Sequence, residues 1–373
     1  MNNWPTSTER FPSPQYRDQD KLFAGAFEIL EEAVAQKAFP GTSVAITHAG
    51  KLVALRAFGR FTYAETSPMV TVDSIFDLAS VTKVVATTSM AMILYERGLL
   101  DLEAPLVGVL TEFVGQDKRR SEVTFHTLLS QSSGLPAHEK IWLHATSKDE
   151  FLRKVFALPL KSAPGTHAEY SDIGFILLGV ALERIAQESL DRFCQREVFG
   201  PLGMLQTAFN PPAAWKPQIP PTADDQTFRK RIIQGEVQDE NASVLGGVAG
   251  QAGLFSSAGD LAIFAHAMLG GGLPILRRET LALFTRRETS PPETSRALGW
   301  DTPSAPSQSG KYFSPLSFGH LGYTGTSLWI DPARQLSVTM LTNRTWPDCS
   351  NQAIREVRPR FYDAVWEALG AGR

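Results

Sequence analysis

Cysteine is nearly absent from this sequence, and its scarcity excludes a disulfide-stabilised scaffold. The chain has two cysteines in 373 residues, Cys194 and Cys349. They lie far apart and match no metal-binding or redox spacing. Small secreted domains that depend on disulfides contain many more. The simplest interpretation is a reduced, cytoplasmic protein.

A long apolar run and an excess of positive charge are also missing. No stretch reaches the roughly 18 apolar residues of a membrane-spanning helix. The first residues lack the charged start and apolar stretch of a secretory signal peptide. Lysine and arginine total 36 against 39 acidic residues, a net charge of −3, whereas nucleic-acid-binding proteins carry a basic excess. We therefore expect no membrane span, no nucleic-acid partner and a cytoplasmic location.

Several common enzyme motifs do not occur. There is no Gly-x-Ser-x-Gly pentapeptide, which an α/β-hydrolase would need. There is no His-Glu-x-x-His, and the seven histidines are scattered, which argues against a zinc hydrolase. The glycine-rich stretch 246–253 fits neither Gly-x-Gly-x-x-Gly nor a P-loop, so we interpret it as close backbone packing. We expect no metal and no cofactor.

What the sequence does contain is a regular order of helical and strand patterns. The predicted elements are a helix at 20–36, strands at 43–47 and 52–58, helices at 81–97, 124–131, 148–157, 173–188 and 190–198, a loop-like stretch at 205–245, a helix at 254–269, a Ser/Pro-rich loop at 290–310, strands at 323–330 and 336–342, and a helix at 351–369. This order predicts an α/β fold in which both chain ends build one sheet and an all-helical block is inserted between them.

The predicted division of the chain follows from that order. Residues 1–18 are polar and form a tail. Residues 19–75 and 247–373 form a sheet domain flanked by helices, and residues 76–246 form a helical domain. We expect the active site between the two domains.

Ser80 and Lys83 lie three residues apart where an apolar helix is predicted to begin. Residues at this spacing share one helix face, so the amine can reach the hydroxyl. Apolar neighbours would desolvate the lysine and lower its pKa, and a neutral lysine can activate a serine nucleophile. A chain of this composition contains about one such pair by chance. For the pair alone, a capping serine and a surface lysine is the alternative.

Two further segments carry candidate site residues. Tyr170 and Asp172 precede another apolar helix, where the phenol can relay a proton and the carboxylate can orient Lys83. A helix-start aromatic followed by a capping aspartate is an equally weighted alternative. The stretch 319–332 is predicted to be a strand whose glycines expose backbone N–H groups for an oxyanion hole. Its His320, taken alone, is more often structural than catalytic.

Together the three segments resemble, in order and spacing, the serine β-lactamase and penicillin-binding-protein superfamily. That superfamily includes class C β-lactamases, D,D-peptidases and family VIII carboxylesterases. Its Ser-x-x-Lys, Tyr-x-Asn and Lys-Thr-Gly motifs have counterparts here at Ser80–Lys83, Tyr170–Asp172 and His320–Gly322. Flanking segments such as Ser133–Pro136 also resemble segments of the family. The resemblance extends over nearly the whole chain, residues 20–368.

The resemblance implies a β-lactamase/D,D-peptidase-like fold with an antiparallel sheet. It implies that Ser80 is the acylated nucleophile, that Lys83 is its base, and that Tyr170 shuttles protons to the leaving group and to water. It places the oxyanion hole at the backbone N–H groups of Ser80 and Tyr323.

Two positions depart from the family pattern within the predicted substrate-binding set of Asp172, His320, Gly322 and Tyr323. Asp172 replaces the usual Asn, and its charge should favour a protonated Lys83 and repel acidic substrates. His320 replaces the Lys that helps to hold a substrate carboxylate, and we expect it to be partly charged near pH 7. Both changes argue against efficient turnover of β-lactams or D-Ala-D-Ala peptides.

The expected function is therefore that of a serine hydrolase that forms an acyl-enzyme on Ser80 and cleaves small esters or amides, with weak β-lactamase activity allowed. The first alternative is a β-lactamase or D,D-carboxypeptidase that acts on β-lactams or peptidoglycan peptides. The second is a non-catalytic penicillin-binding or sensing protein. The retained serine, lysine and tyrosine argue against the second, since a scaffold needs none of them. The sequence does not indicate which oligomeric state the protein adopts.

Overall fold

The longest strands of the protein lie near its two chain ends. The computed structural model describes residues 13–371, and its strands are β1 Ser13–Pro14, β2 Gly41–His48, β3 Lys51–Gly59, β4 Phe76–Asp77, β5 Ala208–Phe209, β6 Ala223–Asp225, β7 Arg231–Ile233, β8 Leu254–Ser256, β9 Phe318–Leu321, β10 Ser327–Asp331 and β11 Leu336–Thr342. The main sheet has the order β1-β3-β2-β11-β10-β9. The β1–β3 pair is parallel and the other four pairs are antiparallel.

Most helices lie between the two strand-rich ends. They are α1 Gln19–Leu22, α2 Ala24–Ala35, α3 Ser89–Glu96, α4 Phe125–Leu129, α5 Lys148–Ala157, α6 Asp172–Ala186, α7 Leu190–Cys194, α8 Gly200–Leu202, α9 Glu240–Val244, α10 Ala258–Leu269, α11 Arg278–Thr285 and α12 Ile354–Ala371. Two π-helical turns occur at Lys83–Thr88 and Gln195–Phe199. The arrangement confirms the predicted fold class, an antiparallel sheet built from both chain ends and flanked by helices.

Strand β2 shows why the sheet is covered on both faces. Successive side chains of a strand point to opposite faces, and Val44 and Ile46 pack in one core cluster with α2 and α12. Ala45 belongs to the other core cluster, which also contains residues of α10. Helices α2 and α12 therefore cover one face of the sheet, and α10 covers the opposite face. Burial of this kind stabilises a fold by about 25 cal/mol per Å² of apolar surface.

Three predicted elements need correction. The predicted helix at 254–269 begins as strand β8, which pairs with β4 and β5. The predicted strand at 323–330 is a turn up to Thr326 and becomes strand β10 only at Ser327. The loop-like stretch 205–245 contains β5, the β6–β7 hairpin and α9. Strands β5 and β8 form through partners far away in the chain, which local periodicity does not reveal.

The ends of the described chain add two observations. Residues 1–12 of the predicted tail lie outside the described residues, and Ser13–Pro14 pairs with the start of β3. The predicted domain boundaries stay a prediction.

Between residues 13 and 371, no helix is both long and apolar enough to cross a membrane.

Candidate active site

Ser80 lies in a 3₁₀ turn, Ala79–Val81, that leads into the π-helical turn Lys83–Thr88. The helix predicted to begin here thus starts with 3₁₀ and π geometry and becomes α-helical only at α3. Ala79 has a φ of 46°, a left-handed conformation that costs a non-glycine residue on the order of 1–3 kcal/mol. The Asp77 carboxylate supports it by accepting the Ala79 N–H at 2.8 Å. The strained turn presents Ser80 at a partly exposed position.

Four predicted site residues meet in one hydrogen-bonded cluster. The Ser80 Oγ lies 3.0 Å from the Lys83 Nζ and 2.6 Å from the Tyr170 hydroxyl. The Lys83 Nζ lies 2.7 Å from that hydroxyl and 2.7 Å from Asp172 Oδ1. The Tyr170 hydroxyl in turn donates to Asp172 Oδ1 at 2.9 Å. Residues separated by about ninety positions therefore contact one another directly around the serine.

The surroundings of Lys83 lower the proton affinity of its amine. Its side chain is fully buried, and burial lowers its pKa, although the Asp172 carboxylate partly opposes this effect. Asp172 Oδ1 and the Gln251 carbonyl oxygen, 3.1 Å from the Nζ, can only accept hydrogen bonds. The Nζ thus has four polar neighbours, and only the neutral form of the amine carries the lone pair that a base needs. The predicted effect of Asp172 on the lysine is present, but burial outweighs it.

Tyr170 and Asp172 differ in their protonation. Burial and the nearby carboxylate raise the pKa of Tyr170 well above its ordinary value, so it is a neutral phenol. Burial alone would raise the pKa of Asp172, but Lys83, His138 and Tyr170 outweigh it and hold that pKa well below its usual range. Asp172 is the first residue of α6, where free backbone N–H groups also favour negative charge. The cluster thus contains an ionised carboxylate beside a neutral phenol.

The turn between β9 and β10 lies against the segment that precedes Ser80. Thr324 Oγ1 donates to the Asp77 carbonyl at 2.7 Å and Thr326 Oγ1 to the Leu78 carbonyl at 2.8 Å. A Cβ on Gly322 would clash with the Leu78 carbonyl oxygen, so the close approach requires glycine. The backbone N–H groups of Ser80 and Tyr323 belong to the two segments that these contacts hold together. Two such donors are the components of an oxyanion hole.

Two arginines hold this turn from behind. Arg344 Nε donates to the Tyr323 carbonyl at 2.7 Å. A guanidinium nitrogen of Arg358, from α12, lies 3.3 Å from the Gly322 carbonyl and 3.2 Å from the Thr326 carbonyl. Burial lowers the pKa of Arg358 to about 10, so it stays charged at neutral pH. A charged donor on the Gly322 carbonyl polarises the peptide whose N–H belongs to Tyr323.

The family model for β-lactamases matches residues 27–358 of the chain. The chain belongs to the β-lactamase family. A protein of Escherichia coli O157:H7 with the provisional name D-alanyl-D-alanine carboxypeptidase is 30% identical over 343 residues, covering 82% of this chain and 79% of that protein. An N-acetylmuramyl-L-alanine amidase of Bacillus subtilis strain 168 is 30% identical over 374 residues, covering 90% of this chain and 82% of that protein.

A solved structure of low sequence identity shares the fold. EstCE1, described as a hydrolase with promiscuous acyltransferase activity, matches with a TM-score of 0.77 at 22% identity, covering 93% of this chain and 99% of that one. The predicted family resemblance is confirmed, and the protein is a serine hydrolase of the β-lactamase family.

The charge of His320, which stands where the β-lactamase-family motif has lysine, differs from the predicted charge. Its side chain is 4% exposed, and its Nδ1 lies 2.7 Å from the Leu321 carbonyl oxygen. Burial, together with the positive charges of Lys83 and Arg296, lowers its pKa to about 3. The expectation of a partly charged His320 is therefore wrong, because the ring is neutral at pH 7. A substrate carboxylate finds no charge at this position.

Arg296 provides a positive charge near the site, at a position other than that of the motif lysine. The guanidinium carbon of Arg296 lies 5.7 Å from the centre of the Tyr170 ring, and its positive charge acts on Lys83 and His320. Sequence reasoning missed Arg296, which lies in the loop predicted at 290–310. One arginine in an irregular loop carries no motif, and only the folded chain shows where it lies.

The sequence also gave no reason to select His138, Asp239 and Gln251. His138 Nδ1 lies 3.6 Å from Asp172 Oδ2. Gln251 donates from Nε2 to Asp239 Oδ1 at 3.2 Å, and burial raises the pKa of Asp239 to about 6. Gln251 lies in the glycine-rich stretch 246–253, and the interpretation of close packing there is correct, since a Cβ on Gly250 would clash with the backbone of α6. That packing brings the Gln251 carbonyl to Lys83.

Proposed function

We propose that the protein is an acyl-serine hydrolase that cleaves small esters and amides through Ser80. The observation that carries the proposal is the contact of one hydroxyl with both a buried lysine, at 3.0 Å, and a tyrosine, at 2.6 Å. An activated serine near the backbone N–H groups of Ser80 and Tyr323 supports covalent catalysis with oxyanion stabilisation. A binding protein would have no use for that combination.

Acylation begins with the proton of Ser80. The neutral Lys83 amine takes it while the Oγ attacks the substrate carbonyl carbon. The N–H groups of Ser80 and Tyr323 stabilise the negative oxygen that forms. Tyr170 then gives its phenol proton to the leaving group and regains a proton from Lys83, 2.7 Å away. The leaving group departs as an alcohol or amine, and Ser80 carries the acyl group.

Deacylation uses the same groups in the reverse direction. A water molecule attacks the ester carbonyl and gives its proton to the Tyr170 oxygen while the phenol proton moves to Lys83. Lys83 then gives that proton to the Ser80 Oγ as the acyl bond breaks. Asp172 accepts hydrogen bonds from both Tyr170 and Lys83 and keeps them aligned. The products are a carboxylic acid and the free enzyme.

The charges of the site favour neutral ester substrates over β-lactams. The β-lactam nucleus carries a carboxylate, and the neutral His320 offers it no counter-charge where the family has a lysine. The ionised Asp172 adds repulsion at the same site. An ester also needs less help from the proton donor, because an alkoxide leaves more readily than an amide anion.

The test compares p-nitrophenyl acetate and butyrate with the β-lactam nitrocefin on the purified protein. We expect higher kcat/KM for the esters, and intact mass spectrometry should show an acyl adduct that is absent from Ser80→Ala. Rapid cleavage of nitrocefin with inert esters would reverse the proposed substrate order.

A second candidate function, carboxypeptidase action, is favoured by Arg296. Its guanidinium lies beside Tyr170, and among residues 13–371 its ion-pair partner is Asp301 at a long 3.5 Å. It can therefore hold the terminal carboxylate of a peptide, and a relative of the chain is named as a D-alanyl-D-alanine carboxypeptidase. A charged hydrogen bond contributes about 1.5–3 kcal/mol, so its loss is measurable.

Arg296→Gln should raise KM about tenfold for substrates with a free carboxylate and leave KM for p-nitrophenyl acetate unchanged. The measurement compares an ester that bears a carboxylate with its methyl-capped form. Arg184→Gln, which removes an exposed pair with Glu112, is the control and should affect neither. An equal change for both esters would rule out carboxylate recognition by Arg296.

A further inference from the structure

The carboxylate of Asp172 faces a different partner with each of its oxygens. Oδ1 accepts hydrogen bonds from Lys83 at 2.7 Å and from Tyr170 at 2.9 Å. Oδ2 lies 3.6 Å from His138 Nδ1. If Lys83 is neutral, as a base must be, the lysine does not balance the negative charge of Asp172. The imidazole at Oδ2 is placed to supply that balance.

Backbone contacts fix His138 in this position. The Asp172 N–H donates to the carbonyl of Ala137, the residue before His138, at 2.8 Å. The Ser171 hydroxyl donates to the Pro136 carbonyl at 2.6 Å. The loop that carries His138 is therefore held against the first residues of α6. These backbone contacts set the position of the His138 backbone relative to Asp172. The distance between the imidazole and the carboxylate therefore depends on the fold as well as on the side-chain conformation.

Acidic groups surround His138. Asp172 faces it from α6, and Asp239 and Glu240 face it from the start of α9. Arg296 adds a positive charge that acts on Lys83. The Asp172 carboxylate raises the pKa of His138 above its ordinary value. With 44% of its side chain exposed, His138 exchanges protons with solvent.

We infer that His138 is a positioning residue for the Ser80–Lys83 pair, and that its imidazolium form pairs with Asp172 so that Lys83 can lose its proton. The inference rests on the proposed function. When His138 is neutral or removed, the charge of Asp172 acts on Lys83 alone and holds the ammonium form. Histidine and aspartate thus act together where the family motif has an uncharged asparagine.

This role predicts a specific change in the pH profile of kcat/KM for p-nitrophenyl acetate. Activity rises as Lys83 loses its proton. In His138→Gln the midpoint of this rise should move up by about one pH unit, because the positive charge that opposed the lysine proton is gone. The plateau at high pH should be retained, since neutral Lys83 is active in both proteins. His138→Lys restores a positive charge and should keep the midpoint close to that of the native protein.

The decisive comparison uses the Asp172→Asn background. There His138 has lost the carboxylate that favours its imidazolium form and is neutral while Lys83 titrates, so a further His138→Gln change should leave the midpoint unmoved. Thermal unfolding of each variant verifies that it is folded. A His138→Gln protein with lower activity at every pH and an unmoved midpoint would overturn the inference and give His138 a purely structural role. An equal shift in both backgrounds would also overturn it.

The experiment separates this inference from the proposed function. If Ser80→Ala is inactive and His138→Gln keeps the native midpoint, the hydrolase proposal stands and the role of His138 fails. If Ser80→Ala keeps the ester activity, the proposed function itself fails.

Discussion

Ser80→Ala is expected to lower kcat for p-nitrophenyl esters by about 10⁴- to 10⁶-fold, the range found when a nucleophile of a catalytic triad is removed. The change deletes the Oγ that contacts both Lys83 and Tyr170. No other described group takes its place between those two side chains. Steady-state kinetics and intact mass spectrometry measure the loss of turnover and of the acyl adduct.

Folding of Ser80→Ala should be almost unaffected. Ser80 is partly exposed, and a typical hydrogen bond contributes only about 1 kcal/mol net. The melting temperature should therefore change by only a few degrees. Ser121→Ala is the matched control, because its hydroxyl bonds only to the Lys118 carbonyl in an exposed turn. Ester hydrolysis that survives in Ser80→Ala would refute Ser80 as the nucleophile.

Lys83→Met is expected to lower kcat/KM by about 10²- to 10⁴-fold, the usual contribution of a positioned general base. Methionine fills much of the volume of the buried side chain but cannot accept the Ser80 proton. The acyl adduct should form slowly or not at all, which rapid-quench mass spectrometry measures. Asp172 keeps its contacts with Tyr170 and His138, so we expect a folded protein of reduced stability.

Lys83→Arg distinguishes two contributions of the lysine, its action as a general base and its positive charge. Arginine keeps a positive charge but is not deprotonated in proteins. If Lys83 acts as the base, Lys83→Arg and Lys83→Met should be similarly inactive. If the arginine variant keeps most of the activity, the lysine contributes charge and the general-base assignment is wrong. Tyr95→Phe, in α3 and away from the cluster, is a control for changes in the helix that follows Lys83.

Local sequence patterns predicted the elements whose causes are themselves local. Helix α5 is one example, since the predicted range 148–157 matches the observed Lys148–Ala157. Its start is encoded in the chain, because the Ser147 hydroxyl accepts the Glu150 N–H and caps the helix. The strands β2 and β3 were found for a similar reason. The turn at Gly322–Thr326 was not, because contacts with Asp77 and Leu78 determine its path.

The same distinction applies to the site. Ser80, Lys83, Tyr170 and Asp172 lie in short motifs of fixed spacing, and the resemblance of these motifs to the superfamily implied that they lie close together. His138, Gln251 and Arg296 come from a loop, a glycine-rich turn and a long irregular segment. Their approach depends on packing between distant segments, and no spacing rule describes it. The neutral state of His320 likewise follows from burial, which a single motif does not specify.

The order of strands in the main sheet has a consequence for the newly made chain on the ribosome. Strand β2 pairs on one side with β3, which follows it at once, and on the other with β11, which is synthesised near the end. Until β11 and α12 emerge, the nascent chain exposes an apolar strand edge that is prone to wrong pairing. Ser80 is made early, but the turn between β9 and β10 and the helix that carries Arg358 are made much later. We therefore expect nascent chains that lack these segments to carry Ser80 without activity.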